Sequence, residues 1–189
     1  MRTLLVAVLV VALSVLAAGV WSQAPQREIQ TGIKTTGESY ATMTELSFAM
    51  AELANARQAL PEALVKLAED TKKAGLTPLG PAQVSIAGVF PPDPAGKVTL
   101  QIQLPIIEVG TADDLNGGGG VKVVKQDPAQ VAYTYHTGGM QELQNGFFRL
   151  YNWAMAQGRE VAGLPTLVIY KAPTAEDDSM LAELQVAVK

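Results

Sequence analysis

Tyrosines stand at 133 and 135, two apart in VAYTYH, and a third closes TLVIY at 170. Side chains two apart on a strand share a face, so Tyr133 and Tyr135 line the same space. Such rings either stack on flat apolar or cationic ligands or pack into a core with their hydroxyls satisfied, and the spacing fits both uses. Tyr170 is a candidate for the same wall. In LAELQVAV, Leu184, Val186 and Val188 alternate with Glu183 and Gln185; in KVTLQIQL, Val98, Leu100, Ile102 and Leu104 alternate with Thr99, Gln101 and Gln103. The alternation turns each apolar set inward and leaves Glu183, Gln101 and Gln103 on an open sheet face. The two glutamines are candidate polar contacts there, or ordinary surface residues.

Other chemistries are excluded by composition. The chain has no cysteine and one histidine, His136. Disulfides, thiolate metal sites, a cysteine nucleophile and a multi-histidine zinc site are therefore ruled out. A net charge of −4 with no cluster of Lys and Arg is the wrong footprint for phosphate backbones, so no nucleic-acid partner is expected. Four consecutive glycines, 117–120, lack the Gly-Lys-Ser/Thr ending of a phosphate loop, and TADDLNGGGG (111–120) reads as a linker.

The elements that must position these residues come in two sets. Apolar residues stand 8, 11 and 15 positions before Gly75 (Leu67, Leu64, Leu60) and before Gly158 (Leu150, Phe147, Leu143). The repeat is 83 residues long, and one ungapped register lays 36–80 on 119–163, with ELSFAMAEL (45–53) on PAQVAYTYH (128–136). Residues 59–74 and 141–157 are expected to be amphipathic helices, stopped by Gly75 and Gly158. Tyr151 and Trp153 belong to the second, where they fill the helix–sheet interface, and Gly146 inside it costs about 1 kcal/mol relative to alanine. Strand signals flank both helices: YATMTELSFAMAE, then QVSIAGVF with KVTLQIQL; VKVVKQDPAQVAYTYH, then TLVIY with LAELQVAV. Each half reads as strand, helix, hairpin. The expected fold is α+β: a tandem pseudo-twofold repeat of strand-helix-strand-strand modules, antiparallel sheets with one main helix each, and a central cleft where a small ligand fits.

The amino terminus is apolar from Leu4 to Val20 and carries one charge, Arg2, before Arg27. Its length lies between a secretory h-region and a spanning helix. Residues 1–24 are therefore a signal peptide or a membrane anchor, and the charge bias sends the rest of the chain across the membrane. The domain boundaries are 25–189 for the folded part, with a first module at 26–110, the linker, and a second module at 121–189.

The second half, from VAYTYHTGGMQELQNGFFRLYNWAMAQG through GLPTLVIYKAP to LAELQVAVK, resembles the GyrI-like small-molecule-binding domain, also found as the effector-binding domain of AraC-type and MerR-type regulators. The resemblance extends over 26–189, with a degenerate first half. It implies tandem modules around a cleft that binds hydrophobic, often cationic, molecules through aromatic residues and a buried glutamate. In a subset it implies hydrolysis of cyclopropane-containing compounds. The acid of that pattern precedes the strand's tyrosine by one or two residues, where TLVIY has only Leu167, Val168 and Ile169. Glu183 is the nearest substitute, a ligand contact or a solvated strand-face glutamate. The related SOUL-type haem binders raise haem ligation by His136, but a lone strand-end histidine reads as a hydrogen-bonding residue. No cofactor, metal or catalytic residue is assigned.

Three functions compete. The first is an exported or membrane-tethered, non-catalytic protein holding a hydrophobic ligand, cationic or neutral, with Tyr133, Tyr135, Tyr170, Glu183, Gln101 and Gln103 as contacts. The second is a cyclopropane-opening hydrolase with Glu183 as base. The third is a cell-envelope interaction module with a vestigial pocket. The sequence identifies no protein partner.

Overall fold

A computed structural model describes residues 30–49, 52, 56–87, 96–107, 121–173, 177 and 179–189. The proposed amino-terminal segment, 1–24, and the linker, 111–120, lie outside them. Among the described residues no helix is long and apolar enough to cross a membrane.

The first module contains β1 (Thr31–Thr36), β2 (Ser39–Ala49), α1 (Ala56–Lys73), β3 (Ala82–Ala87) and β4 (Lys97–Ile106). The second repeats the order with β5 (Lys122–Gln126), β6 (Ala129–Gly139), α2 (Leu143–Ala156), β7 (Thr166–Lys171) and β8 (Ser179–Ala187). A single turn of 3-10 helix, Met140–Glu142, leads into α2. All pairings are antiparallel, and the strands form one eight-stranded sheet in the order β1-β6-β8-β7-β3-β4-β2-β5. The sheet is curled into a half-barrel. The two expected sheets are thus continuous, joined at the centre by β3 and β7, where Val84 pairs with Leu167. These two residues are themselves 83 positions apart, which puts the pseudo-twofold axis between them.

Helix stops follow the sequence closely. Gly75 (φ 77°) and Gly158 (φ 73°) both adopt the left-handed conformation that glycine enters without steric cost. The N–H of Gly75 donates to Lys72 O and that of Leu76 to Thr71 O; Gly158 donates to Met155 O and Arg159 to Ala154 O. Both helices therefore end in the same Schellman motif. They cover the same side of the sheet: α1 lies on β2 and β4, and α2 lies on β6 and β8. Leu143, Phe147, Leu150 and Ala154 of α2 and Leu60 and Leu67 of α1 meet Val98, Leu100, Ile102, Leu167, Ile169, Leu184 and Val186 in one core. Gly146 explains its place in a helix, because a Cβ there would come within 2.5 Å of Leu184 Cδ1.

Four expectations are corrected. TGIKTT, which carries no strand signal, forms edge strand β1. VKVVKQDPAQVAYTYH is two strands rather than one, broken at Asp127-Pro128, where proline lacks the N–H a ladder needs. The short opening strands are exchanged between halves: β1 pairs with β6 of the second module, and β5 pairs with β2 of the first. The ungapped 83-residue register also fails over the first long strand. It would lay Phe48, on the helix side opposite Val98, on Val131, which shares the open face with Tyr133. A shift by an odd number inverts every side chain of a strand. In the fold, Ser39 opens β2 as Ala129 opens β6, ninety positions apart, because the first module has seven extra residues between strand and helix.

Candidate functional site

Among the described residues both helices lie on one side of the curled sheet, and no helix covers its other face. Strand register places Tyr133 opposite Gln185, Tyr135 opposite Glu183 and Val131 opposite Ala187, all on that open face. From β7, Val168 pairs with Glu183 on one side and Gln83 on the other. Near the end of β7 the register shifts between Ile169 and Lys171. A bulge there gives Tyr170 no Cα partner and re-aims its ring across the face.

Glu183 is the centre of the arrangement, fully buried although charged. Lys34 Nζ lies 2.6 Å from its Oε1, Gln185 Nε2 donates to the same oxygen at 2.6 Å, and the Tyr170 hydroxyl donates to Oε2 at 3.3 Å. A buried charge is tolerated only when paired and hydrogen-bonded, and these three groups meet that need. Burial of its hydroxyl, followed by the adjoining Glu183 carboxylate, pushes Tyr170 up to about 12. The phenol therefore stays a neutral donor.

The three tyrosines form a continuous aromatic surface around this carboxylate. Tyr133 and Tyr135 meet edge to face with centroids 5.9 Å apart, and Tyr135 and Tyr170 lie 6.3 Å apart at 46°. Tyr135 is 36% exposed, Tyr170 48% and neighbouring Leu181 40%. The carboxylate is held below, while Tyr135, Tyr170 and Leu181 reach solvent. Gly32 of β1 pairs with Tyr133, whose ring atoms lie 3.1 Å from where a Cβ would stand. The missing side chain lets the ring lie flat along the edge strand. Lys34, two residues on, passes 5.0 Å from the centroid of the same ring.

Gln101 and Gln103 lie on this face but are not part of the aromatic cluster. Their strand β4 is separated from β8 by β7 and β3, a lateral distance of about 14 Å at ~4.8 Å per strand. Gln101 Nε2 donates to Glu45 at 3.2 Å, and Gln103 contacts Met43 Sδ and accepts from Gln126, which also donates to Gln83. His136 points the other way, into the helix side, where its Nε2 lies 3.2 Å from Gly139 O. Burial pushes its pKa down, keeping it neutral as a donor to that carbonyl. A pocket of about 240 Å³ adjoins it, lined by Thr31, Thr134, His136, Gly146, Arg149, Leu150, Trp153 and Leu184 and also by Tyr135. Tyr135 is shared with the aromatic cluster, whereas Glu183 and the three groups that hold it are not in this lining. Trp153 and Tyr151 pack against the core as their helical positions imply.

Sequence reasoning missed Lys34. It lies on a short strand without apolar alternation and acts on a residue 149 positions away, so no local signal marks it. The position of the acid is also clarified. Val168, one of the two positions where the resemblance implies an acid, is the direct cross-strand neighbour of Glu183, which therefore reaches the same face from the adjoining strand.

No protein-family profile and no curated protein matches the chain by sequence. Solved structures do match by shape. The C-terminal domain of EcmrR superposes with a TM-score of 0.65 at 13% identity, over 86% of this chain and 99% of that one. Against EcmrR in its complex with DNA, the chain spans 57% of that protein's length. A hydrolase from Listeria innocua gives 0.58 at 14% identity over 88% and 94%. SAV2435 bound to tetraphenylphosphonium gives 0.54 at 10% identity over 85% and 94%. At such identities the likeness is one of fold, and the architecture is consistent with the GyrI-like fold.

Proposed function

We propose that the chain is a small-molecule-binding protein of the effector-binding type that holds a hydrophobic ligand on the open face of its sheet, exported or tethered to a membrane by residues 1–24. One observation carries the reading. Three partly exposed tyrosine rings surround a fully buried, fully partnered glutamate in the uncovered hollow of the sheet. Aromatic surface left toward solvent loses the stabilisation that burial gives, and a ligand stacked on Tyr135 and Tyr170 recovers it. The polar groups beneath set the ligand's orientation, as a few fixed polar contacts do in apolar sites. Gln101 and Gln103 would reach only a ligand long enough to cross β7 and β3.

Thermal-shift screening tests this. A ligand at about 100 times its Kd stabilises by ~2.7 kcal/mol, which raises Tm by about 2–4 °C for each kcal/mol in a chain near this size. Hydrophobic compounds should produce a rise of that order, and Tyr135→Ala should abolish it. A panel of neutral lipophiles and hydrophobic cations that leaves Tm unchanged would favour the interaction module instead. Export is tested separately: a carboxyl-terminal tag on the full chain should resist protease in intact cells with a closed outer envelope and become accessible once that envelope is opened.

The hydrolase reading rests on the same Glu183 with the Tyr170 hydroxyl beside it. Lysine, glutamine and tyrosine fill three of the roughly four acceptor positions of the carboxylate, leaving one lone pair on Oε2 to meet a water. Turnover of a strained cyclopropane electrophile that is lost in Glu183→Gln would establish it.

A further inference from the structure

The binding face already contains a cation, and it belongs to the protein. Lys34 Nζ lies 2.6 Å from Glu183 Oε1 and 5.0 Å from the Tyr133 ring centroid. A carboxylate with an aromatic ring beside it is the arrangement that attracts an organic cation, through charge pairing and through the ring quadrupole. Here an ammonium on a four-carbon stem fills it. Its backbone is fixed by the β1–β6 pairing, where Lys34 faces Val131, so the ammonium never has to be recruited from solution. An arriving cation must break a short ion pair that re-forms intramolecularly, at a high effective concentration. A neutral ligand meets no such competition, because Lys34 and Glu183 cancel beneath the tyrosines.

We propose that Lys34 is the specificity-determining residue of this face: it occupies the cation position opposite Glu183 and confines the site to neutral hydrophobic ligands. The inference rests on the ligand-binding reading above and sharpens it. No corresponding charge exists across the pseudo-twofold axis, where the partner of Ala41 on the exchanged strand is Val124. The device is confined to one half.

The test compares two probes on the full chain, tetraphenylphosphonium as cation and triphenylphosphine oxide as its neutral aromatic relative, by calorimetric titration. Wild type should bind the neutral probe and bind the cation at least tenfold more weakly than Lys34→Gln does. Lys34→Gln should lower the ratio of the cation's Kd to the neutral probe's Kd at least tenfold relative to wild type. Lys34→Arg, which keeps the charge, should not gain cation affinity. Lys34→Gln combined with Glu183→Gln should lose the gain, and since this pair leaves no buried charge unpaired it serves if the single variant folds poorly: cation binding by the double variant tenfold or more above wild type would also overturn the proposal. Equal cation affinity in wild type and Lys34→Gln, with the neutral probe bound by both, overturns the role of Lys34 and leaves the binding face intact. Failure of both probes to bind any variant removes the binding reading and this inference with it.

Discussion

On the helix side, Leu60, Leu64 and Leu67 of the first half stand where Leu143, Phe147 and Leu150 stand in the second, and the same Schellman hydrogen bonds close both helices. On the open side, register places the pair Glu45–Gln101 where the second half has Tyr135–Glu183, and Met43 where it has Tyr133. The difference separates two kinds of constraint. Packing of a helix on a sheet penalises any change of volume or face, so both copies kept the same grammar. No described helix packs on the open face, and the halves differ there: one has a ladder of hydrogen-bonded glutamines, the other an aromatic surface over a buried carboxylate paired with a part-exposed lysine.

The largest expected asymmetry is in the core. Phe147 is wholly buried, whereas its counterpart Leu64 is only partly so. Phe147→Ala should cost about 3–5 kcal/mol, and Leu64→Ala less than the roughly 2–5 typical of a fully buried leucine, in chemical denaturation of each variant. Equal losses would show that the two helices share one cooperative core without a tighter half.

Next comes the ion pair. Removing one member of a fully buried pair costs about 3–5 kcal/mol; the Lys34 side chain is 39% exposed, so Lys34→Met should cost roughly 2. Gln101, at the position that Glu183 has in the other half, donates instead to Glu45 in an exposed contact, and Glu45→Gln should be silent within about 0.5 kcal/mol. A Lys34→Met loss as small as that of Glu45→Gln would mean that water, rather than lysine, satisfies Glu183.

A smaller effect separates Gly146 from Ala63, which holds the corresponding place 83 positions earlier and packs on the core with its methyl. Ala63→Gly should lose about 1 kcal/mol of helix propensity. The reverse change, Gly146→Ala, should not recover that amount, because the new methyl meets Leu184 Cδ1, and overpacking of this kind costs about 1–3 kcal/mol. A stabilised Gly146→Ala would show that Leu184 has room to turn away.

Much of this was legible in the residues. Gly75 and Gly158 announced both helix stops, and period-two alternation placed Glu183 and the β8 apolar set on opposite faces. Strand spacing put Tyr133 and Tyr135 together, and Tyr170, at the end of TLVIY, was a candidate for the same wall. What stayed hidden depended on distance along the chain or on parity. Thr31–Thr36 has threonines, a glycine and a lysine where a strand signal needs apolar alternation, and its stability comes from pairing with β6, almost a hundred residues away. Lys34 was hidden with it. The bulge that directs Tyr170 leaves no mark in TLVIYK. The helix repeat of 83 and the strand spacing of ninety cannot both be read from one ungapped register, and only the face each side chain takes distinguishes them.

The smallest expected difference is a pH dependence that one half has and the other lacks. His136 lies on the helix side of β6; the matching position on β2 is Leu46. Burial lowers the His136 pKa, with Arg149 acting in the same direction and Glu142 and the carbonyls of Gly139 and Gly138 opposing. A histidine whose folded-state pKa is depressed below its unfolded value is neutral in both states above about pH 6.5. As pH falls through that value, the unfolded chain takes up a proton that the folded chain refuses. Stability is thus present above about pH 6.5 and declines below it, down to the lowered folded pKa. His136→Gln retains a donor for Gly139 O without the titration, so between about pH 7.5 and 5.5 its Tm should fall less than that of wild type. Parallel curves would mean that His136 accepts its proton without leaving the core, through the carbonyls of Gly138 and Gly139 that already face it.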